Sequence, residues 1–396
     1  MARARRTLAI IVIVVLSAAL FGCSAVSYTA VVPAPTFAPR AESGEIDPVA
    51  QYARERLATM SLGQKVMSML MVHVPGTRPG ASTPAIYDGV GGFILMGDNI
   101  PGSLAQLRDE TSALSDEAGL PVLVATDQEG GIVRRVPTDT APSAHELRSQ
   151  APRAAFDAFA ERGALLQSVG VSVNFGIVAD VASDRSSFIF ERSFGSTGVD
   201  AAARVFEAVA GESQVLSTLK HFPGHGATPG DSHSSIPSTS LSLRHWSTTH
   251  ALPFEAGIEA GAPIVMFGHL TFTAVDPQPA TFSALWHEIL RDDLGFDGMV
   301  ITDDMGMLER SGIPEYSNQV ANAVRAIGAG NTMLLYVGAV DAPGIVSAVT
   351  QAVDDSELDE SVIDEAALKL LILRRTLSGQ TGRFVHCSAN CAAISG

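Results

Sequence analysis

A (β/α)8 barrel is the α/β fold this sequence predicts, and three observations predict it. Short apolar runs bounded by Gly or Pro recur along the chain, helical patterns lie between them, and polar residues gather where the runs end. Strands of a parallel barrel are buried on both faces, so they read as continuous apolar runs. Their C-terminal ends form the rim where chemistry collects.

The runs are expected as strands at 66–74, 90–96, 121–127, 171–178, 215–221, 263–269, 298–303 and 331–337. Helices are expected at 104–118, 153–169, 200–212, 252–260, 284–294, 318–329 and 342–353, several of them closed by a following Gly. No repeat of 20 to 50 residues is present, which argues against a solenoid or propeller. An open dinucleotide-binding sheet would need Gly-x-Gly-x-x-Gly after its first strand, and the sequence has none there. One catalytic domain over 48–376 is the expected organisation.

Ahead of it, Arg3, Arg5 and Arg6 precede an apolar run from Leu8 to Phe21 that is shorter than the roughly 20 residues of a membrane span. Residues 1–22 therefore read as a signal peptide. The closing Leu20-Phe21-Gly22-Cys23 resembles a bacterial lipobox, which implies lipidation at Cys23, an exported protein and a lipid anchor on the outer face of the cell membrane. Residues 23–47, rich in Ala, Pro, Ser and Thr, read as a tether reaching up to roughly 70 Å. At the other end, 377–396 form a tail in which Cys387 and Cys391 would pair in an oxidising compartment, with zinc as the weaker alternative. The net charge of −16 and the lack of a basic stripe argue against nucleic acid as a partner of the folded body. A monomer is expected.

Chemistry concentrates in Lys220-His221-Phe222-Pro223-Gly224-His225-Gly226-Ala227-Thr228-Pro229-Gly230-Asp231-Ser232-His233. Three of the ten histidines fall in this run, and its Pro and Gly residues exclude helix or sheet interior beyond the strand end. A surface loop that only satisfies its own backbone is the plainer reading. Lys220 weighs against it: Lys65, Lys220 and Lys369 are the only lysines, and a cation at the end of an apolar strand needs a carboxylate or a bound polar ligand. Thr126-Asp127-Gln128-Glu129-Gly130-Gly131 follows the third run, with glycines that suit a backbone lying close to a ligand. Val300-Ile301-Thr302-Asp303-Asp304 ends the seventh in adjacent carboxylates, which must point in different directions.

Lys-His-Phe-Pro-Gly-His-Gly followed by Asp-Ser-His resembles the signature of family 3 glycoside hydrolases, in their β-N-acetylglucosaminidase branch. The resemblance implies that Asp303 is the nucleophile, that His233 gives and then takes a proton, and that Asp231 orients its ring. It implies that Asp127, Arg135, Arg192, Lys220 and His221 bind the sugar. The match departs at Ile132, where the family has arginine, and at 176–177, where the fourth strand has Gly-Ile. The chemistry is consistent: an imidazole titrates near neutral pH and can work in both directions. Retention needs the nucleophile and the acid on one anomeric centre. Since His233 and Asp303 lie on different loops, the Gly/Pro loop is expected to bring the imidazole in when sugar is bound. The implied activity is exo-acting hydrolysis of terminal N-acetylglucosamine from cell-wall fragments or glycoconjugates, with no cofactor and no metal. Other readings stay open: a family 3 β-glucosidase, a phosphorolytic variant, a metal-dependent barrel hydrolase using the rim histidines and aspartates, or a sugar-capturing lipoprotein without chemistry.

Overall fold

The computed structural model describes residues 47–385 apart from Asp116 and Ala118. The expected leader, Cys23, the tether up to residue 46, Cys387 and Cys391 lie outside the described residues. Helix α1 (Pro48–Leu57) starts on an Asp47 cap whose carboxylate accepts the Val49 N–H. Helix α2 (Leu62–Ser68) starts on a reciprocal cap: Ser61 Oγ accepts the Gln64 N–H, and the Gln64 side chain accepts the Ser61 N–H.

That cap corrects the first expected strand. Val66, Met67 and Ser68 belong to the last turn of α2, and strand β1 is only Leu70–Val72. A buried apolar run carries no period that separates helix from strand, and here the Ser-Leu-Gly-Gln cap sets the frame. The remaining strands fall within a residue or two of expectation: β2 (Gly92–Leu95), β3 (Leu123–Thr126), β4 (Val173–Val178), β5 (Leu216–Phe222), β6 (Ile264–Phe267), β7 (Met299–Asp304) and β8 (Met333–Tyr336). Each pairs in parallel with its neighbours, and Leu70 opposite Leu334 closes the ring between β1 and β8. Eight parallel strands in a closed ring are the predicted barrel.

The helices α3 (Leu104–Ser112), α4 (Arg153–Ser168), α5 (Gly198–Gly211), α6 (Ala251–Glu259), α7 (Ala284–Glu288), α8 (Gln319–Ala329) and α9 (Ala342–Asp354) return the chain between strands or follow β8. Helix α7 runs on as a π turn through Ile289–Asp293, which accounts for the longer expected span. Helix α8 ends at Gly330 with φ of 113°, a left-handed cap that a side chain would strain.

Helix α10 (Glu360–Leu377) is absent from the sequence expectation and closes the barrel at the end opposite the rim. It touches the segments that enter three strands. Glu360 and Asp364 pair with Lys65, Lys369 Nζ donates to Asp297 O, and Arg374 donates to Leu120 O and Pro121 O. Helix α1 packs along α10 through Tyr52, Ala53 and Leu371.

Under β4 to β6 the core is aromatic. The Phe222 ring meets those of Trp246, Phe254, Phe267 and Trp286 at 4.9–5.8 Å between centroids. The next residues back along the same strand are Lys220 and His221, so this packing fixes the strand end on which they sit.

Candidate active site

Polar residues stand at or just beyond the end of every strand from β1 to β7: His73, Asp98, Asp127, Asp180, Lys220 with His221, His269, and Asp303 with Asp304. Two peptide bonds near the end of β5, Lys220-His221 and Phe222-Pro223, are cis. A groove of about 890 Å3 lies at the other end of the strands, lined by Met60, Met67, Val90 and Val122, and it includes none of the rim residues. Charge is what marks the rim.

The charged cluster begins with Lys220, which is 2% exposed. Its Nζ lies 2.8 Å from Asp127 Oδ1 and 2.7 Å from Glu129 Oε1. Glu129 also takes two hydrogen bonds from Arg192, Nε at 2.9 Å and a terminal nitrogen at 2.7 Å, a paired geometry that suits guanidinium. Arg135 reaches Asp127 Oδ2 at 3.3 Å. The cation that the sequence left needing a carboxylate or a ligand thus has two carboxylates. Burial alone would push the Asp127 carboxyl up, but the charges of Lys220 and Arg135 outweigh it and hold the group below its ordinary value. Glu129 is held down in the same way by Arg192 and Lys220. Lys220 is driven down by burial and raised further by Asp127 and Glu129, so it stays charged.

Glu129 was not singled out by the sequence reading, although it lies inside a motif that reading quoted. The signal was available: two buried cations, Lys220 and Arg192, require more acid than Asp127 supplies. The two glycines beside it answer to packing rather than to a ligand. A Cβ on Gly130 would lie 2.4 Å from the Arg162 guanidinium, and one on Gly131 would lie 2.8 Å from the Ser143 Cβ. Ile132, at the tip, is 72% exposed.

His221 is positioned by Asp180. Its Nδ1–H donates to Asp180 Oδ2 at 2.7 Å, and Nε2 faces Arg192 at 3.5 Å. Burial, with the Arg192 charge added, pushes the His221 imidazole well below its ordinary value, so the ring is neutral and its Nε2 is an acceptor. Asp180 also accepts the backbone N–H of His221 at 3.2 Å and of His225 at 2.5 Å. It ties the strand end to the loop that follows.

That loop carries Asp231 and His233. Nδ1 of His233 lies 2.6 Å from Asp231 Oδ1, which also accepts the His233 backbone N–H at 3.0 Å. Slight burial raises the Asp231 carboxyl less than these bonds lower it. The imidazole sits against Phe188, 5.3 Å between ring centroids, and Phe188 in turn lies 5.3 Å from the Arg192 guanidinium carbon. The segment bearing Phe188 and Arg192 is clamped by Arg148, whose Nε donates to Ser193 O at 2.8 Å and whose terminal nitrogen donates to Phe190 O at 3.1 Å.

Asp303 is half-buried, and its Oδ1 accepts the Asp304 N–H at 2.8 Å. It lies at the end of β7, on the same rim as His221 at the end of β5 and His269 just beyond β6. Among the described residues no hydrogen bond joins it to His233. Asp304 turns the other way, to Arg310 at 2.7 Å and the Gly306 N–H at 3.1 Å. His269 is fully buried between Thr281 Oγ1 and Asp304 O. Phe267, Phe282 and Trp286 are buried in the core.

Residues 61–373 match the model of the glycosyl hydrolase family 3 N terminal domain. The chain belongs to glycosyl hydrolase family 3. It is 36% identical over 253 residues to a beta-hexosaminidase of Xanthomonas oryzae pv. oryzae, covering 60% of this chain and 75% of that one. A beta-hexosaminidase of Idiomarina loihiensis is 30% identical over 326 residues, covering 78% and 97%. Among solved structures, a family 3 beta-N-acetylglucosaminidase from Paenibacillus sp. superposes with a TM-score of 0.74 at 29% identity. That likeness covers 85% of this chain, which spans 66% of the Paenibacillus protein. A family 3 chain is a glycoside hydrolase acting on O-glycosyl bonds of a carbohydrate substrate, and the rim cluster lies within the matched residues. Among the described residues no helix is long and apolar enough to cross a membrane.

Proposed function

We propose that this family 3 hydrolase is a retaining, exo-acting β-N-acetylglucosaminidase. The observation that carries the reading is the rim cluster of Lys220, Asp127, Arg192 and His221, with the Asp303 carboxylate at the end of β7 and the Asp231/His233 pair on the loop after β5. Lys220, Asp127, Arg135, Arg192 and His221 bind the hydroxyls and acetamido group of one terminal sugar. Asp303 attacks the anomeric carbon and the glycosidic C–O bond breaks. His233 gives its Nε2 proton to the departing oxygen while Asp231 holds Nδ1–H. A water then gives its proton to Nε2 and its oxygen to the anomeric carbon, releasing Asp303.

The names of the relatives support the N-acetylglucosamine specificity, and a fungal relative described as a secreted glycosyl hydrolase supports export. Processing and lipidation at Cys23, a tether over 23–47, the catalytic domain over 48–376, a disulfide in the 377–396 tail and a monomeric state complete the proposal.

The test is a panel of aryl β-glycosides with and without the 2-acetamido group, hydrolysed by wild type, Asp303→Ala and His233→Ala. Turnover restricted to the acetamido sugars, with a fluorosugar adduct mapped to Asp303 by mass spectrometry, is the expected result. An adduct on another residue overturns the nucleophile, and equal turnover of glucosides overturns the specificity. A Cys23→Ser chain that stays membrane-bound overturns the anchor.

A further inference from the structure

We propose that His225 positions the Asp231/His233 pair, through a hydrogen bond to the one buried residue of the arc that carries it. This rests on the reading of His233 as the proton carrier. Residues 229–235 are exposed or half-buried with one exception, Ser232, which is 3% exposed. Asp231 and His233 are its two chain neighbours. Ser232 Oγ lies 3.0 Å from Nε2 of His225, which is itself 2% exposed.

His225 is held from several sides. Its backbone N–H donates to Asp180 Oδ1 at 2.5 Å, and its carbonyl accepts the Thr228 hydroxyl at 2.9 Å. The next residue, Gly226, lies so close to Val181 O that a Cβ would stand 1.9 Å from it. The Phe188 ring packs on both histidines, 5.6 Å from His225 and 5.3 Å from His233 between centroids. A chain of contacts therefore runs from Asp180, which also orients His221 in the sugar pocket, through His225 and Ser232 to the pair. The position of the imidazole relative to the sugar is set by this chain, since the bonds of Asp231 and His233 to each other fix only their mutual geometry. A proton donor must stand within about 3 Å of the oxygen it serves, and a displacement of about 1 Å is costly.

A misplaced acid leaves a signature that a generally damaged fold does not. Activated leaving groups depart without a proton, and poor ones do not. The kcat/KM of Ser232→Ala and His225→Gln is measured on 2,4-dinitrophenyl and phenyl β-N-acetylglucosaminide, beside His233→Ala and with the inhibition constant of free N-acetylglucosamine. The expected result is a loss of about tenfold or more on the phenyl substrate and about twofold or less on the dinitrophenyl one, with inhibitor binding unchanged. Equal losses on both substrates, or no loss on the phenyl substrate, overturn the positioning role. If Ser232→Ala fails to fold, His225→Gln carries the same test. If His233→Ala itself spares poor leaving groups, the identity of the proton carrier is what fails, and the positioning role falls with it.

Discussion

Lys220, Glu129 and Arg192 are buried and, with half-buried Asp127, satisfy one another at the barrel rim, whereas Asp231 and His233 are more open to solvent on an arc held through Ser232 and the Phe188 ring. The first group forms an ionic set whose members are one another's partners. The second has its own internal bonds but borrows its place from His225. The contrast fits the division of labour: hydroxyl recognition needs fixed groups, and a proton carrier must meet water as well as the glycosidic oxygen.

Substitutions separate the two regions by what they damage. The largest effect is expected at the nucleophile that both regions serve. Asp303→Ala should lower kcat by about 10^4-fold or more, measured on an aryl N-acetylglucosaminide, with little change in melting temperature. His233→Ala, in the exposed region, should cost about 10^2 to 10^4-fold on poor leaving groups while changing stability by about 0.5 kcal/mol or less. Glu129→Gln, in the buried region, should do the reverse in kind. It leaves Lys220 and Arg192 short of a carboxylate and should cost about 3–5 kcal/mol of stability by denaturant unfolding. A Glu129→Gln protein as stable as wild type would erase the distinction.

Acid should also weaken the buried region. Asp127 and Glu129 titrate below their ordinary values in the folded protein, so the stability they contribute is present above the ordinary carboxylate range. It is lost as pH falls through their lowered values. The smallest expected effect has the opposite sign. Glu212 lies behind the cluster, sharing the Asn174 side-chain amide with Gln128 O, and burial pushes its carboxyl up to about 8. Between its ordinary value and about 8 it holds a proton when folded and loses it when unfolded. Stability should therefore decline as pH rises through that window. Glu212→Gln should flatten the decline, read as melting temperature at pH 5 against pH 8.

Strand ends and rim acids were legible because apolar runs, stop signals and the polar residues after them are local. Lys220 announced itself by scarcity and strand position. Glu129 was harder, for its two partners lie 63 and 91 positions away, Arg192 in the loop after β4 and Lys220 on β5, and only the closed ring brings them together. The burial of Ser232 between two exposed neighbours carries no local signal at all. Helix α10 escaped because the strand-helix alternation ends at β8 and α9, and its apolar face answers to the barrel's underside rather than to a neighbouring strand. Val66 was misplaced for the opposite reason, since a buried position looks alike in either element.

The crossing of α10 under the strands makes the barrel a cup with a floor, and α1 lies beside it there, packed on both Leu371 and Leu120. The first described turns of the chain thus belong to the floor, and the mouth is left to the loops that carry the chemistry.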